Sequence, residues 1–181
     1  EANASGPNSL SIGGFSAAAG DRGSAFGNGA IAAGNFSTAV GTGAISSGLQ
    51  STAVGSGAQA SGLSSIALGE RSISFRDNST ALGHSSTADA ANSVALGANS
   101  VTTIDNTVSV GRLAFDNFTP NDPSDDISAI TRRIVHVADG TDANDAATVG
   151  QLNTAINHAS FGGRPFLSIN STGTAAHPTG A

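Results

Sequence analysis

A period of fourteen residues runs from residue 9 to residue 111, and a chain that repeats so short a unit buries an apolar face only by stacking copies of it. Take Ser9, Gly23, Ser37, Ser51, Ser65, Ser79, Ser93 and Thr107 as position one. Position five is then Gly13, Gly27, Gly41, Gly55, Gly69, Gly83, Gly97 and Gly111, glycine in all eight copies. Position four is always large and apolar: Ile12, Phe26, Val40, Val54, Leu68, Leu82, Leu96 and Val110. Position three is only Ala or Ser.

The second half of the unit alternates. Positions eight and ten hold only Ser, Ala or Thr, as in Ala30 and Ala32 or Ser86 and Ala88, whereas positions nine and eleven also admit Ile31, Gln59, Phe75 and Asp89. Such spacing belongs to a strand with one inward and one wet face. Position twelve is Gly20, Gly34, Gly48 and Gly62 before it drifts to Arg76, Ala90 and Ile104. Two short strands and two turns per unit predict an all-β fold, a parallel solenoid with one turn per repeat. At a strand spacing of about 4.8 Å, eight turns span roughly 40 Å.

Composition narrows the chemistry. Cys, Met, Trp, Tyr and Lys are absent, which removes disulfides, thiolate zinc sites and lysine catalysis. The net charge of −6 with seven Arg argues against tracking phosphates, so nucleic acid is not an expected partner. His84, His136, His158 and His177 lack the spacing of a helical zinc site, and Asp122, Asp125 and Asp126 lack the pattern of a calcium loop. Gly27-x-Gly29 and Gly41-x-Gly43 imitate a dinucleotide fingerprint but recur at the solenoid period with no helix following. No catalytic residue, cofactor or metal is expected, and the chain is read as non-enzymatic. No apolar run approaches bilayer length, so no membrane contact is expected of this chain; any export or anchoring segment is expected to lie outside it.

Both faces of the first strand avoid charge in every repeat. One face is expected to fill the solenoid and the other to meet another chain, because soluble proteins seldom leave a long apolar ladder bare. Spacing alone leaves open which face points inward, so the residues at position four are either repeat core or subunit interface.

The period stops at Arg112. Leu113 to Ile130, rich in Pro, Asp and Phe, reads as a turn-rich insertion. Arg132 to Ala138 is strand-like, Asp139-Gly140 a turn, and Asp142 or Asp145 a candidate cap for a helix running through Asn157. Val149, Leu152 and Ile156 share coiled-coil seam spacing over about two heptads. Residues 159–181 read as the start of a further module or tail, with one strand-like piece at Pro165 to Asn170. At the other end, Ala2, Ala4 and Gly6 sit where positions eight, ten and twelve of a preceding repeat would fall.

These residues carry a resemblance. Asn8 to Gly13 (N-S-L-S-I-G), Asn92 to Gly97 (N-S-V-A-L-G) and Asn106 to Gly111 (N-T-V-S-V-G) resemble the head repeats of trimeric autotransporter adhesins of the YadA type. Arg132 to Gly140, then Asp145 to Leu152, resemble that family's neck, and together the likeness spans roughly residues 2–158. His136 stands where the neck usually has Asn, and Ala147, Thr148 and Gly150 depart from its D-A-V-N-V-A-Q-L motif.

The resemblance implies a left-handed parallel β-roll head over residues 1–112 and an insertion over 113–130 that extends outward or onto a neighbouring subunit. It further implies a neck and incipient coiled-coil stalk over 131–158, with Arg132, Ile134, Val137, Asp145, Val149, Gln151 and Leu152 as neck residues. Arg132 is expected to pair with Asp142 or Asp145 of a neighbouring chain. A homotrimer, display on the outer surface of a Gram-negative bacterium, and attachment to host cells or matrix proteins such as collagen, fibronectin or laminin are implied in the same way.

Competing functions are a structural spacer, or a head acting in autoagglutination and biofilm formation. More remote is ice binding by a threonine ladder, since Thr38, Thr52 and Thr80 share position two, but Leu10, Ser24, Ile66, Val94 and Val108 break it. A hexapeptide-type acyltransferase solenoid is disfavoured, because fourteen is not a multiple of six.

Overall fold

The computed structural model describes residues 1–114, 127–158, 160–161 and 164–165. The chain divides into two units, Glu1–Arg132 and Arg133–Ala181.

The first unit is a parallel β-solenoid with one turn per repeat. Its first sheet stacks eight strands from position two onward, Leu10–Ile12, Ser24–Phe26, Thr38–Val40, Thr52–Val54, Ile66–Leu68, Thr80–Leu82, Val94–Leu96 and Val108–Ser109. Its second sheet stacks eight two-residue strands, Asn3–Ala4, Ala17–Ala18, Ile31–Ala32, Ile45–Ser46, Gln59–Ala60, Ile73–Ser74, Thr87–Ala88 and Val101–Thr102. Each residue pairs with the one fourteen places later, as in Ala67 with Ala81 and Ile73 with Thr87. With no register slip, identical repeat positions form ladders along the stack.

The interior settles which face points inward. Every buried apolar residue among those described is alanine, and the buried polar residues are serine plus Thr102. Position three lines the interior from the first sheet, with Ala25, Ala39, Ala53, Ala67, Ala81 and Ala95 all fully buried, and positions eight and ten line it from the second. The large residues at position four point outward.

The serines at position one, for which the period alone suggested no role, also belong to this core. Ser37, Ser51, Ser65, Ser79 and Ser93 are fully buried. Ser51 Oγ donates to the Gly48 carbonyl at 2.7 Å, and Ser79 and Ser93 repeat that contact with Arg76 and Ala90. In these three the hydroxyl answers a turn carbonyl three residues back and its polarity is satisfied locally, whereas the buried Ser37 and Ser65 Oγ make no hydrogen bond.

Glycine at position five has two causes. Its φ lies between 103° and 138° from Gly13 to Gly97, a region closed to side chains. The next turn also presses on it: a Cβ on Gly55 would fall 2.4 Å from the Gly69 carbonyl oxygen. Position seven differs. Gly29, Gly43 and Gly57 have φ near 65°, yet Phe15, Arg71, Ser85 and Asn99 adopt a similar φ of 52° to 57° at the same place. Nothing lies within 4 Å of a Cβ on Gly43.

In the second unit, helix α1 spans Val149–His158, and Ser160–Phe161 pairs antiparallel with Arg164–Pro165. The strand-like run expected over Arg132 to Ala138 forms no strand, and among the described residues none supplies a ladder to pair its backbone. Most of the insertion and nearly all of Pro165 to Asn170 lie outside the described residues. The described ends of the insertion are pinned by an antiparallel bridge in which Arg112 and Ile130 exchange backbone hydrogen bonds of 3.0 and 2.9 Å.

These two turn positions predict opposite responses. Gly55→Ala should cost more than about 2 kcal/mol, since it combines backbone strain with a collision against backbone. Gly43→Asn should change stability by less than about 0.5 kcal/mol, because Asn tolerates the left-handed region and the space is open. Thermal unfolding of the two variants beside the parent chain measures both.

Candidate functional site

The candidate site is the outward face of the first sheet. Positions two and four alternate with the buried alanines of position three, so both project away from the core. Ile12, Leu68, Leu82 and Leu96 are 55%, 42%, 38% and 41% exposed, and Phe26, Val40, Val54 and Val110 are half-buried. Position two adds Leu10, Ile66 and Val108, also exposed. Their neighbours along the stack are of the same kind, Leu68 with Leu82, Leu82 with Leu96, and Val94 with Val108. Thr38 and Thr52 adjoin, but the threonine row ends at Ile66. No ionisable side chain occupies either position in any repeat. The face is uncharged throughout, an unbroken apolar row at position four running eight turns beside a mixed apolar and hydroxyl row at position two, and an exposed apolar row of this kind marks a protein interface.

The neck residues of the second unit divide into two groups. Ile134 and Val137 are exposed, as are Val149, Leu152 and Ile156 along one side of α1. That seam has no partner within the described chain. Gln151 and Asp145, by contrast, hold the backbone. The Gln151 side chain accepts from Gly140 N at 3.0 Å through Oε1 and donates to Gly140 O at 2.7 Å through Nε2, as a neighbouring strand would. The same Oε1 accepts from Thr148 N, while Gln151 N donates to Thr148 Oγ1 at 3.1 Å. Thr148-x-x-Gln151 is therefore a reciprocal capping box.

Thr148, not Asp142 or Asp145, caps the helix. The T-x-x-Q spacing was present in the sequence and is what identifies the cap. Asp145 instead closes the preceding turn, its carboxylate accepting from Thr141 N at 3.0 Å and Asp142 N at 3.1 Å. The backbone hydrogen bonds from Asp142 and Thr141 hold its pKa below the ordinary carboxylate value. A depressed folded pKa contributes stability above the unfolded value and loses it as pH falls through the folded one. The protection factors of the Thr141 and Asp142 amides, with the intrinsic exchange rate at each pH divided out, should accordingly fall on acidification below the ordinary Asp range, and Asp145→Ala should remove that change in protection.

Arg132 belongs to the solenoid unit rather than to the neck. Its guanidinium donates to Val110 O and Ala98 O at 2.5 Å each and to Ser100 Oγ at 2.9 Å. The expected pairing with Asp142 or Asp145 is one between neighbouring chains; within its own chain the guanidinium is held by these oxygens of the last turns.

His136 has φ 60°. Asn is favoured over His at a left-handed position because its short side chain relieves the strain locally, which accounts for Asn as the usual neck residue. His136→Asn should stabilise the second unit by up to about 1 kcal/mol, measurable as a rise in its unfolding midpoint.

Comparison with known proteins agrees with the geometry. A family model described as the YadA head domain repeat matches residues 4–30, 18–44, 46–72, 77–100 and 91–114, and one described as the coiled stalk of trimeric autotransporter adhesin matches residues 133–175. No curated protein matches the chain. Among solved structures, the collagen-binding domain of the Yersinia adhesin YadA is 28% identical, with 86% of this chain and 87% of that one covered and a TM-score of 0.57. The head-repeat matches alone cover more than half of the sequence. The chain belongs to the trimeric autotransporter adhesins, as a non-enzymatic YadA-type β-roll head followed by sequence of the coiled stalk.

Proposed function

We propose that this chain is the head of a cell-surface adhesin that attaches a bacterium to host extracellular-matrix protein as a homotrimer. The observation that carries the reading is the outward ladder of positions two and four. The interior buries only alanine and small hydroxyl residues, while its large apolar side chains stand outside. Three copies joined along this ladder would bury it, and the seam of Val149, Leu152 and Ile156 would continue the association as a coiled coil. A helix of ten residues needs such partners to be stable.

With the ladder enclosed, the second sheet and the turns are left to meet a ligand. Repetition then matters more than any single contact, since many weak equivalent sites on three joined copies gain strength by avidity. From Gly23 to Gly69 the sequence contains no charged residue. Contact over these turns would rest on hydrogen bonding and apolar packing, and so would be insensitive to salt screening. The YadA domain it resembles is a collagen-binding one, which makes collagen the first matrix protein to try.

The purified chain should sediment near three times 17.5 kDa. Leu82→Asp should shift it towards smaller species, as should Val149→Asp or Leu152→Asp, by placing a charge in an apolar contact. A stable, soluble monomer at micromolar concentration would refute the trimer. Solid-phase binding of the trimer to collagen, fibronectin and laminin, with Leu82→Asp as control, tests adhesion. Matrix binding should survive from low to high salt and fall with loss of the trimer. Self-agglutination without matrix binding would move the reading to a spacer or autoagglutinin.

A further inference from the structure

The two ends of a stacked solenoid present unpaired backbone groups, and the C-terminal end of this one is closed by a side chain. Within the stack, each carbonyl of position six accepts from the backbone N of position seven one turn later. Gly14 receives Gly29, Asn28 receives Gly43, Thr42 receives Gly57, and His84 receives Asn99. Each carbonyl of position four likewise accepts from the glycine N one turn later, from Ile12 with Gly27 to Leu82 with Gly97.

The regular pattern ends as the chain leaves the stack at Arg112, where it pairs with Ile130. By the pattern, Ala98 O would take its proton from residue 113 and Val110 O from a ninth turn. Arg132 Nη2 donates to Ala98 O and Arg132 Nη1 to Val110 O. The same Nη1 meets Ser100 Oγ, and that hydroxyl donates to Leu96 O at 2.7 Å. In three earlier repeats the serine of this position serves the position-five carbonyl instead, as Ser16, Ser72 and Ser86 do.

Shape follows the same substitution. From Gly13 to Gly83 the space beside the position-five Cα is filled by the next turn's backbone, whereas at Gly97 it is filled by the guanidinium, with Arg132 Cζ 3.1 Å from where a Cβ would lie. At Gly111 the Ile130 carbonyl takes that place.

We propose that Arg132 is the end cap of the β-roll. Its planar fork stands in for the missing turn, satisfying edge carbonyls that would otherwise fray or pair with another strand. The position needs a rigid group with several donors, which Arg supplies and Lys does not.

Hydrogen exchange on the whole chain, comparing Arg132→Gln and Arg132→Lys with the parent, tests the cap. In Arg132→Gln, exchange in residues 94–112 should rise by roughly tenfold or more, as expected for lost hydrogen bonds to a charged group. Residues 38–69, which do not touch Arg132, should keep the parent's rates. Arg132→Lys should recover only part of the protection, one ammonium being unable to span both carbonyls. If Arg132→Gln unfolds outright, the Lys variant decides: fraying confined to residues 94–112 supports a cap. Unchanged rates at 94–112 in the Gln variant, full protection with Lys, or exchange raised equally along the chain in the Lys variant would overturn the proposal.

Discussion

The backbone of each turn lies directly on the backbone of the next, and the rest of the molecule follows from that contact. With a register of fourteen and no offset, the Gly69 carbonyl presses on the Cα of Gly55 and the Gly83 carbonyl on that of Gly69. The turn that makes this approach also brings the two sheets close enough that the side chains between them are alanine and serine, with Thr102 in the last turn. The core is therefore set by the backbone path, not by the bulk of its side chains. Several of the serine hydroxyls inside it are satisfied because the turns that narrow it also aim carbonyls inward, as Gly48 does toward Ser51 and Ala90 toward Ser93.

So narrow an interior cannot be the main apolar reservoir. The turn beginning at Ser65 buries one alanine, Ala67, beside Ser72 and Ser74, and burial stabilises by about 0.8 kcal/mol per CH2-sized group. On the outer face of the same turn Ile66 and Leu68 are each 42% exposed, so enclosing that remainder is worth about 0.6–1.3 kcal/mol apiece. In such a turn the larger apolar return still to be gained lies outside the single chain. Backbone ladders hold one copy together, and association is where the large side chains do their stabilising. Folding and assembly are coupled by this division, since the residues barred from the core by width are the ones available to join copies.

Most of this was legible because the period was unbroken. Glycine at position five, always beside a large residue and one removed from a small one, was enough to place two strands and two turns. Which face of the first strand pointed inward was not legible, since Ala and Leu are both apolar and pattern alone does not report the distance between sheets. Glycine at position twelve marked the second turn, but not the residue that takes the left-handed conformation in it. Its left-handed residue is never glycine: Asn8, Arg22, Phe36, Gln50, Ser64, Asn78, Asn92 and Asn106 occupy it at φ between 52° and 59°. Asn suits that conformation, but at Arg22, Phe36, Gln50 and Ser64 stacking over-determines it, and the chain tolerates a strain of about 1–2 kcal/mol at residues whose identity gives no signal. Arg132 was recognised as part of a motif, but its contacts lie more than twenty residues back, beyond any local spacing.

The neck shows how side chains take over once backbone repetition ends. Inside the solenoid every turn is held by the turn after it, mostly through backbone, with Asn35, Asp77 and Asp105 accepting from the amides of Asp21, Leu63 and Ala91 one turn earlier. Past Arg112 that support stops. Gln151 then pairs both polar groups of Gly140, Asp145 gathers the amide protons of Thr141 and Asp142, and Thr148 closes the first turn of α1 while donating to Asp139. Each imitates with one side chain what a neighbouring strand or turn would do with backbone. This is why the neck residues that hold backbone, Asp145, Thr148 and Gln151, are polar and tightly specified, whereas the head accepts Ile, Phe, Val or Leu at one position: outward packing asks only for an apolar surface, but a lone amide asks for a partner of the right length and polarity.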